Sequence, residues 1–330
     1  MENERLAEKA LKILRNRSIK AIKLAKKAIL HEKIECEEAR SALKYYISKW
    51  EDTTRPGVLS AACEAVGGNV DEVVPLQVAL LFIAATMDIH DDIIDKSISK
   101  NAELTVYGKF GGETALLLGN ALLVKGLIHL EEVTENLPRE RKLLIISTVR
   151  DFLLKIIDAH LLELRLRNYK WDVMPEKCLS ILERKAVDIE GHMRVGAIFG
   201  GGSPKEINAL AKYGRILGTL LAIRSEFIDI YEPDELINRI KNEYPPLPIL
   251  YVLQNRAEKQ ELKQILLKKN ISETDINKIL DKIYGVPEIS RLLKYLNDKK
   301  EEAIKALKDV KKGPAKADLE LLVSAMLEDI

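Results

Sequence analysis

Apolar residues recur at helical spacing through residues 4–48: Leu6, Ala10, Leu11 and Leu14, then Ile19, Ile22, Leu24, Ile29 and Leu30. Intervals of three and four residues place such side chains on one face of a helix, so the stretch predicts amphipathic helices. The pattern breaks at Trp50-Glu51-Asp52-Thr53-Thr54-Arg55-Pro56 and resumes in a short helix ending near Gly67-Gly68. Asn69 can cap the next helix, with Asp71 and Glu72 in its first turn. From Val73 to Met87 that helix is apolar almost all round, which predicts a buried central helix. Further helices are predicted over about 112–131, 139–168, 175–199, 203–231, 256–269, 272–283, 286–310 and 315–329. Ser203-Pro204-Lys205-Glu206 is a capping box with proline at the first helical position. Gly200-Gly201-Gly202 just before it reads as a helix stop and turn, because no strand precedes it to make a phosphate cradle. No alternating run is long enough to be a strand, and no repeat or low-complexity linker appears. The expectation is one all-α domain whose last third, after Pro248, is more loosely packed.

Composition agrees with that class. Gly 17 and Pro 11 in 330 residues fall below the combined average of roughly 12%, too few turn-formers for a sandwich or barrel. Lys+Arg 52 against Asp+Glu 51 leaves a net charge of +1. With no basic tail, binding to nucleic acid is not expected. Cys36, Cys63 and Cys178 are odd in number and far apart, so they predict neither a disulfide framework nor a thiolate metal site and suit a reducing cytoplasm. The N-terminus is charged from its second residue, unlike a signal peptide. Asp88 and Lys125 interrupt the longest apolar stretches, so no spanning helix is expected and any membrane association is peripheral.

Chemistry concentrates where the apolar helix ends. Asp88, Asp91, Asp92 and Asp95 are spaced by three and four and share one helical face. Four carboxylates there repel one another, and burial without a countercharge costs several kcal/mol. A wet surface end or a bound cation would relieve this. Because the helix upstream is apolar on all sides, its end should open into the core or a cavity, which favours a hard cation with oxygen ligands. Mg²⁺ fits, since it commonly uses one or two carboxylates plus substrate phosphates. A second apolar helix, Leu217 to Asp229, ends with acids at Glu226 and Asp229. Two such helix ends facing each other would hold a diphosphate between metal ions, with Arg55, Lys100 and Lys185 completing the neutralisation.

Asp91-Asp92-Ile93-Ile94-Asp95, followed by Thr105, Tyr107, Phe110-Gly111 and Leu118-Gly119-Asn120-Ala121-Leu122-Leu123, resembles the trans-isoprenyl diphosphate synthases. Their first aspartate-rich motif is DDxxD, and their next helix carries a G-D-x-L-L pattern. Arg55-Pro56 is similar to the end of the family's G-G-K-R-x-R-P motif, Lys185 with Gly196-Ala197 to its K-T…G-A helix, and Tyr213-Gly214 with Leu217-Gly218 to the approach to its second aspartate-rich motif. Pro248-Ile249-Leu250 matches the proline-leucine segment that follows, so the resemblance runs from about Arg40 to Arg256. It implies an antiparallel helix bundle around a central cavity, with N-terminal helices over 1–48, a core holding both acidic motifs over 49–250, and C-terminal helices over 251–330. It further implies Mg²⁺-dependent ionisation of an allylic prenyl diphosphate and attack on the cation by isopentenyl diphosphate or another acceptor. Asp91 and Asp95 become the leading metal ligands with Asp92 in support, Glu226 and Asp229 the second set, and Lys100 and Lys185 the diphosphate holders. Thr86 and Met87, one turn above Asp91, would line the cavity floor and leave room for a longer prenyl chain. A homodimer, or a heterodimer with a related synthase subunit, is implied as well.

The departures are as informative. Trp50, Glu51 and Asp52 stand where the family has two glycines and a lysine, and Thr53 where it has an arginine. Ala84 replaces a histidine, Lys100 and Asn101 replace an arginine pair, Ala222 a glutamine, and Ser225 the first aspartate of the second motif. The allylic half of the site is mostly kept and the isopentenyl diphosphate half dismantled. Two readings follow: an active prenyltransferase, or a catalytically impaired regulatory subunit paired with an active synthase. Asp188, Glu190 and His192, and likewise Asp158, His160 and Glu163, are either pocket groups or solvated helix faces. His90 beside the aspartates lacks the partner histidine a metal phosphohydrolase needs, and the paired Glu-x-x-His motifs of a ferritin-type bundle are missing.

Overall fold

A computed structural model describes residues 5–100 and 103–328; Asn101 lies outside the described residues. The helices are α1 Leu6–Leu30, α2 Glu37–Lys49, α3 Thr54–Ala65, α4 Val74–Ile94, α5 Val106–Phe110, α6 Gly112–Thr134, α7 Arg139–Leu166, α8 Pro175–Lys185 and α9 Val187–Phe199. They continue as α10 Pro204–Tyr231, α11 Pro233–Asn242, α12 Leu247–Leu253, α13 Arg256–Leu266, α14 Glu273–Gly285, α15 Pro287–Ala306 and α16 Pro314–Ala325. The chain is all-α apart from a two-residue antiparallel ladder, β1 Ser99–Lys100 with β2 Glu103–Leu104, in register Ser99 to Leu104. Strands that short leave no alternating signature in a sequence.

The central helix α4 buries Leu76, Leu80, Leu81, Phe82 and Ile83 and packs along α6, with α1 and α3 on other sides. α3 lies against α9, and α9 against α10. These close approaches need small residues. A Cβ on Gly196 would sit 2.2 Å from the Leu59 carbonyl oxygen, and one on Gly218 2.9 Å from that of Ala186. The glycines thus let α9 meet α3, and α10 meet the α8–α9 junction, at backbone distance.

The helices expected in the N-terminal run are present as α1 and α2, parted at residues 31–36. Other expectations need correction. The Asn69 side chain accepts from Asp71 N–H at 2.9 Å but starts a turn, and α4 begins at Val74. The helix expected over 175–199 breaks at Ala186, whose backbone leaves regular helix immediately after Lys185. α11 and α12 escape the periodicity because each is short and proline-bounded. The C-terminal third is as well packed as the rest: Leu262, Ile279, Ile283, Leu296 and Leu319 are buried in one core with Leu210, Ile216 and Leu220 of α10. Two helices, Val74–Ile94 and Gly112–Thr134, are long and apolar enough to cross a membrane, since a window of 18 residues absorbs one or two charges such as Asp88 and Lys125. The apolar window of α4 is 72% buried within the protein; that of α6 is 33% buried. The capping box holds as read, with Ser203 N–H donating to Glu206 Oε2 at 2.9 Å. Gly201 at φ 82° and a Gly202 N–H to Ala197 O bond of 2.9 Å make the glycine run a helix stop.

Candidate functional site

The aspartates sit where α4 ends. Asp88, Asp91 and Asp92 are helical and Asp95 is the C-cap. Lys96 follows at φ 54°; Lys96 N–H donates to Ile93 O (3.3 Å) and Ser97 N–H to Asp92 O (2.9 Å). This pair of bonds is a Schellman stop. It turns the chain into the β1–β2 hairpin and brings Lys100 back to Asp92, Nζ to Oδ1 2.7 Å.

Each aspartate has its own basic partner. Arg55 of α3 donates to Asp88 (3.1 Å), Asp52 (2.9 Å) and Asp188 (2.8 Å). His160 of α7 stands 3.4 Å from Asp91. Arg167, just past α7, pairs with Asp95 and donates to Ile94 O at 2.9 Å. Lys185, at the α8–α9 break, pairs with Glu163 of α7, which also accepts from Tyr244 Oη at 3.0 Å. Burial raises the Asp92 carboxyl and pushes those of Asp88 and Asp95 up to about 6; for Asp95 the Asp91 charge adds to this. Burial would likewise raise Glu163, but the Lys185 ammonium reverses the shift and holds it low.

Three adjoining cavities meet at this point, and Asp91 lines all of them. The first, about 230 Å³, is mainly apolar: Leu80, Ile83, Ala84 and Met87 of α4 face Phe152, Leu153 and Ile156 of α7 and Ile189 of α9. Asp188 and His192 also line it, so this pair belongs to the pocket, whereas Glu190 bonds Arg215. Thr86 does not line the cavity as expected. It is buried against α6, donating to Phe82 O at 3.1 Å and Gly119 O at 2.9 Å. At 100° per residue, positions 80, 83, 84, 87, 88 and 91 share the cavity face and 86 points elsewhere.

The second cavity, about 440 Å³, lies between the two acidic helix ends and holds Asp91, Asp95, Lys100, Glu163, Lys185, Ser225, Glu226, Asp229 and Arg239. The second motif is already neutralised there. Arg239 of α11, 4% exposed, donates to Glu226 at 2.7 Å and Asp229 at 2.6 Å, and Glu226 Oε2 also accepts from Leu247 N–H at 2.7 Å. Ser225 Oγ donates to Leu221 O at 3.1 Å. The third cavity, about 500 Å³, has Tyr45, Tyr46 and Trp50 on its wall. Three cationic side chains there (Lys49, Arg55, Lys100) face six carboxylates (Glu51, Asp52, Asp88, Asp91, Asp92, Glu103). Asp52 caps α3, accepting from Thr54 and Arg55 N–H at 3.1 and 3.2 Å.

The structure therefore brings together Arg55, Asp91, Asp92, Asp95, Lys100, Lys185, Glu226 and Asp229. Asp158 is exposed, apart from His160 and Glu163. Arg167 and Arg239 went unanticipated, because nothing local in the sequence marks a partner 72 residues from Asp95 or one on an unforeseen helix. Among the described residues no three His, Cys, Asp or Glu side chains converge to hold a metal ion by themselves.

Carboxylates from two helix ends, flanked by lysines and arginines and set over an apolar cavity, make up the site of this all-α protein. The polyprenyl synthetase family model matches residues 36–283, and the chain belongs to that family. It is 30% identical over 206 residues to the geranylgeranyl diphosphate synthase of Methanosarcina mazei, covering 62% of this chain and 63% of that protein. It is also 30% identical over 199 residues to a short chain isoprenyl diphosphate synthase of Methanothermobacter thermautotrophicus, 60% of each. The matches thus span less than two thirds of these relatives' length. A geranylgeranyl pyrophosphate synthetase from Pyrococcus horikoshii superposes with TM-score 0.80 over 96% of this chain and 98% of its own, at 24% identity. A polyprenyl synthase from Caulobacter crescentus, complexed with calcium and isoprenyl diphosphate, gives TM-score 0.79 at 19% identity over 96% and 98% of the two chains. At those identities the likeness is one of fold.

Proposed function

We propose that this chain is a prenyltransferase that binds an allylic prenyl diphosphate with its phosphates in the second cavity and its tail in the first. The observation that carries the reading is Asp91, a carboxylate at the junction of all three cavities whose nearest basic group is an imidazole 3.4 Å away. Asp91 and Asp95 would hold a divalent cation, with Asp92 behind them and Asp229 across the cavity. The oxygen donors suit Mg²⁺, and the lack of a preassembled cluster suits a metal that arrives sharing phosphate oxygens. When bound, the metal supplies neutralisation of the departing diphosphate. Lys185 and Lys100 hold the phosphates, exchanging Glu163 and Asp92 for the ligand, and the apolar walls keep water from the allylic cation.

Charge distinguishes two acceptor classes. An excess of carboxylates in the third cavity, with Arg55 committed to two of them and to Asp188 beside it, disfavours a second diphosphate and favours an acceptor without phosphates. The same neutralisation, together with Arg239 on the second motif, favours the alternative of an impaired subunit working beside an active synthase. Leu117, Val124 and Ile128 of α6 and Leu154 and Leu161 of α7 are exposed; a second copy or a related subunit would cover them. A cytoplasmic location accords with the reduced cysteines.

The test is incubation of purified protein with radiolabelled farnesyl or geranylgeranyl diphosphate, Mg²⁺ and either isopentenyl diphosphate or phosphate-free acceptors. Diphosphate release and a prenylated product, both lost in Asp91→Ala, are expected. No release with any acceptor, and an Asp91→Ala protein indistinguishable from wild type, refute the reading.

A further inference from the structure

His192 is 2% exposed, lines the apolar cavity, and has an Nε2 with no hydrogen-bond partner. A buried polar atom left unpaired costs free energy and calls for an explanation. Its other nitrogen fixes the tautomer: Nδ1 meets two acceptors of Asp188, the carbonyl oxygen at 2.9 Å and carboxylate Oδ1 at 3.1 Å. In the neutral ring Nδ1 therefore carries the proton and Nε2 keeps a lone pair. Asp188 is suited to stabilise the imidazolium that forms. Burial works against its charge, but the Arg55 guanidinium and the His192 ring overcome this and hold its carboxyl well below the usual range. Phe152 packs on the imidazole with ring centroids 5.4 Å apart. Asp188 and His192 are four apart on one face of α9, and Lys185 stands just before the break that starts that helix.

We propose that His192 is a catalytic base that ends the reaction by proton removal, so that the chain also converts an allylic prenyl diphosphate to a hydrocarbon diene. This rests on the prenyl diphosphate reading above. The C1–O bond breaks with its electron pair leaving on diphosphate. Nε2 then takes a proton from the methyl carbon next to the allylic cation, and the released C–H pair becomes the new C=C bond. The imidazolium returns its proton to the departing diphosphate, so the products are a conjugated diene and hydrogen diphosphate. No oxidant or second substrate is needed.

The experiment uses full-length protein with geranylgeranyl diphosphate and Mg²⁺, without acceptor. Hydrocarbons and prenyl alcohols are quantified by gas chromatography–mass spectrometry, and diphosphate release is measured in the same tubes. Wild type is expected to yield diene. In His192→Gln and His192→Phe the ratio of diene to released diphosphate should fall about 10²-fold, with alcohol taking its place. Dividing by diphosphate release separates loss of the base from loss of folded protein, and either variant suffices. Diphosphate release with alcohol but no diene from wild type, or an unchanged ratio in both variants, overturns the role of His192 alone. Absence of diphosphate release from wild type here and with every acceptor overturns the prenyl diphosphate reading and this inference with it.

Discussion

Arg239 offers the sharpest test of how the second acidic motif is built. Its guanidinium is 4% exposed; Glu226 is 5% exposed and Glu243 8%. Asp229, with a side chain 21% exposed, is the partner nearest solvent among the described residues. Arg239→Met keeps much of the volume and removes the charge, leaving the buried Glu226 without its countercharge. Taking one partner from a buried ion pair costs about 3–5 kcal/mol. With an unfolding entropy of roughly 2.1 cal/mol/K per residue, a chain of 330 residues should lose about 4–7 °C in melting temperature for that cost. Arg239→Lys should fall between, since a point charge cannot bond Glu226 and Asp229 through a planar fork.

The pH dependence separates this mechanism from simple loss of packing. Without Arg239 the stranded carboxyls have folded-state pKa values raised above their unfolded ones, so the folded variant binds the extra protons. Its deficit is then full near pH 8 and shrinks as pH falls toward 5. Differential scanning calorimetry of the three proteins at pH 5, 6.5 and 8 measures it. A deficit under about 1 kcal/mol at pH 8, or one equal at pH 5 and pH 8, would refute the view that Arg239 neutralises the motif.

Burial pushes the Glu243 carboxyl up to about 8, against the lowering effect of Arg239 at 3.8 Å. The folded state therefore binds a proton that the unfolded state releases, and stability falls as pH rises from about 4.5 to 8; Glu243→Gln should flatten that slope and raise the melting temperature at pH 8. Gly196→Ala should destabilise by about 1–3 kcal/mol, measured by urea unfolding, because the new methyl meets the Leu59 backbone oxygen and no side chain can yield. Leu117→Glu together with Leu154→Glu should leave the helical circular dichroism unchanged and shift the protein to monomer in analytical ultracentrifugation; an unchanged mass would remove the α6–α7 face from consideration.

What the chain discloses of itself divides by distance. Helices and their stops are local, and so Ser203, the glycine run and the apolar length of α4 were readable, as was the single face shared by Asp88, Asp91, Asp92 and Asp95. Charge compensation is not local. Arg167 reaches Asp95 across 72 residues, and Asp188 reaches Arg55 across 133. Thr86 misled for a related reason: its height on α4 was readable, but its direction was set by the Gly119 carbonyl on α6.

The two largest departures from the family pattern share one physical effect. At Arg55, the carboxylates of Asp52, Asp88 and Asp188 consume a cation that could otherwise meet a phosphate. At Glu226 and Asp229, Arg239 consumes anions that could otherwise meet a metal. Both arrangements commit charge to the fold. Asp91 is less committed: its nearest basic group is the His160 imidazole at 3.4 Å, which burial and the Lys185 charge hold below its ordinary pKa, while Lys100 and Lys185 share the second cavity with it and are paired to Asp92 and Glu163. On the proposed reading the demand for a cation falls on the first motif, and a single Asp91 substitution should cost more Mg²⁺-dependent prenyl diphosphate affinity, measured by isothermal titration calorimetry, than any change at Glu226 or Asp229.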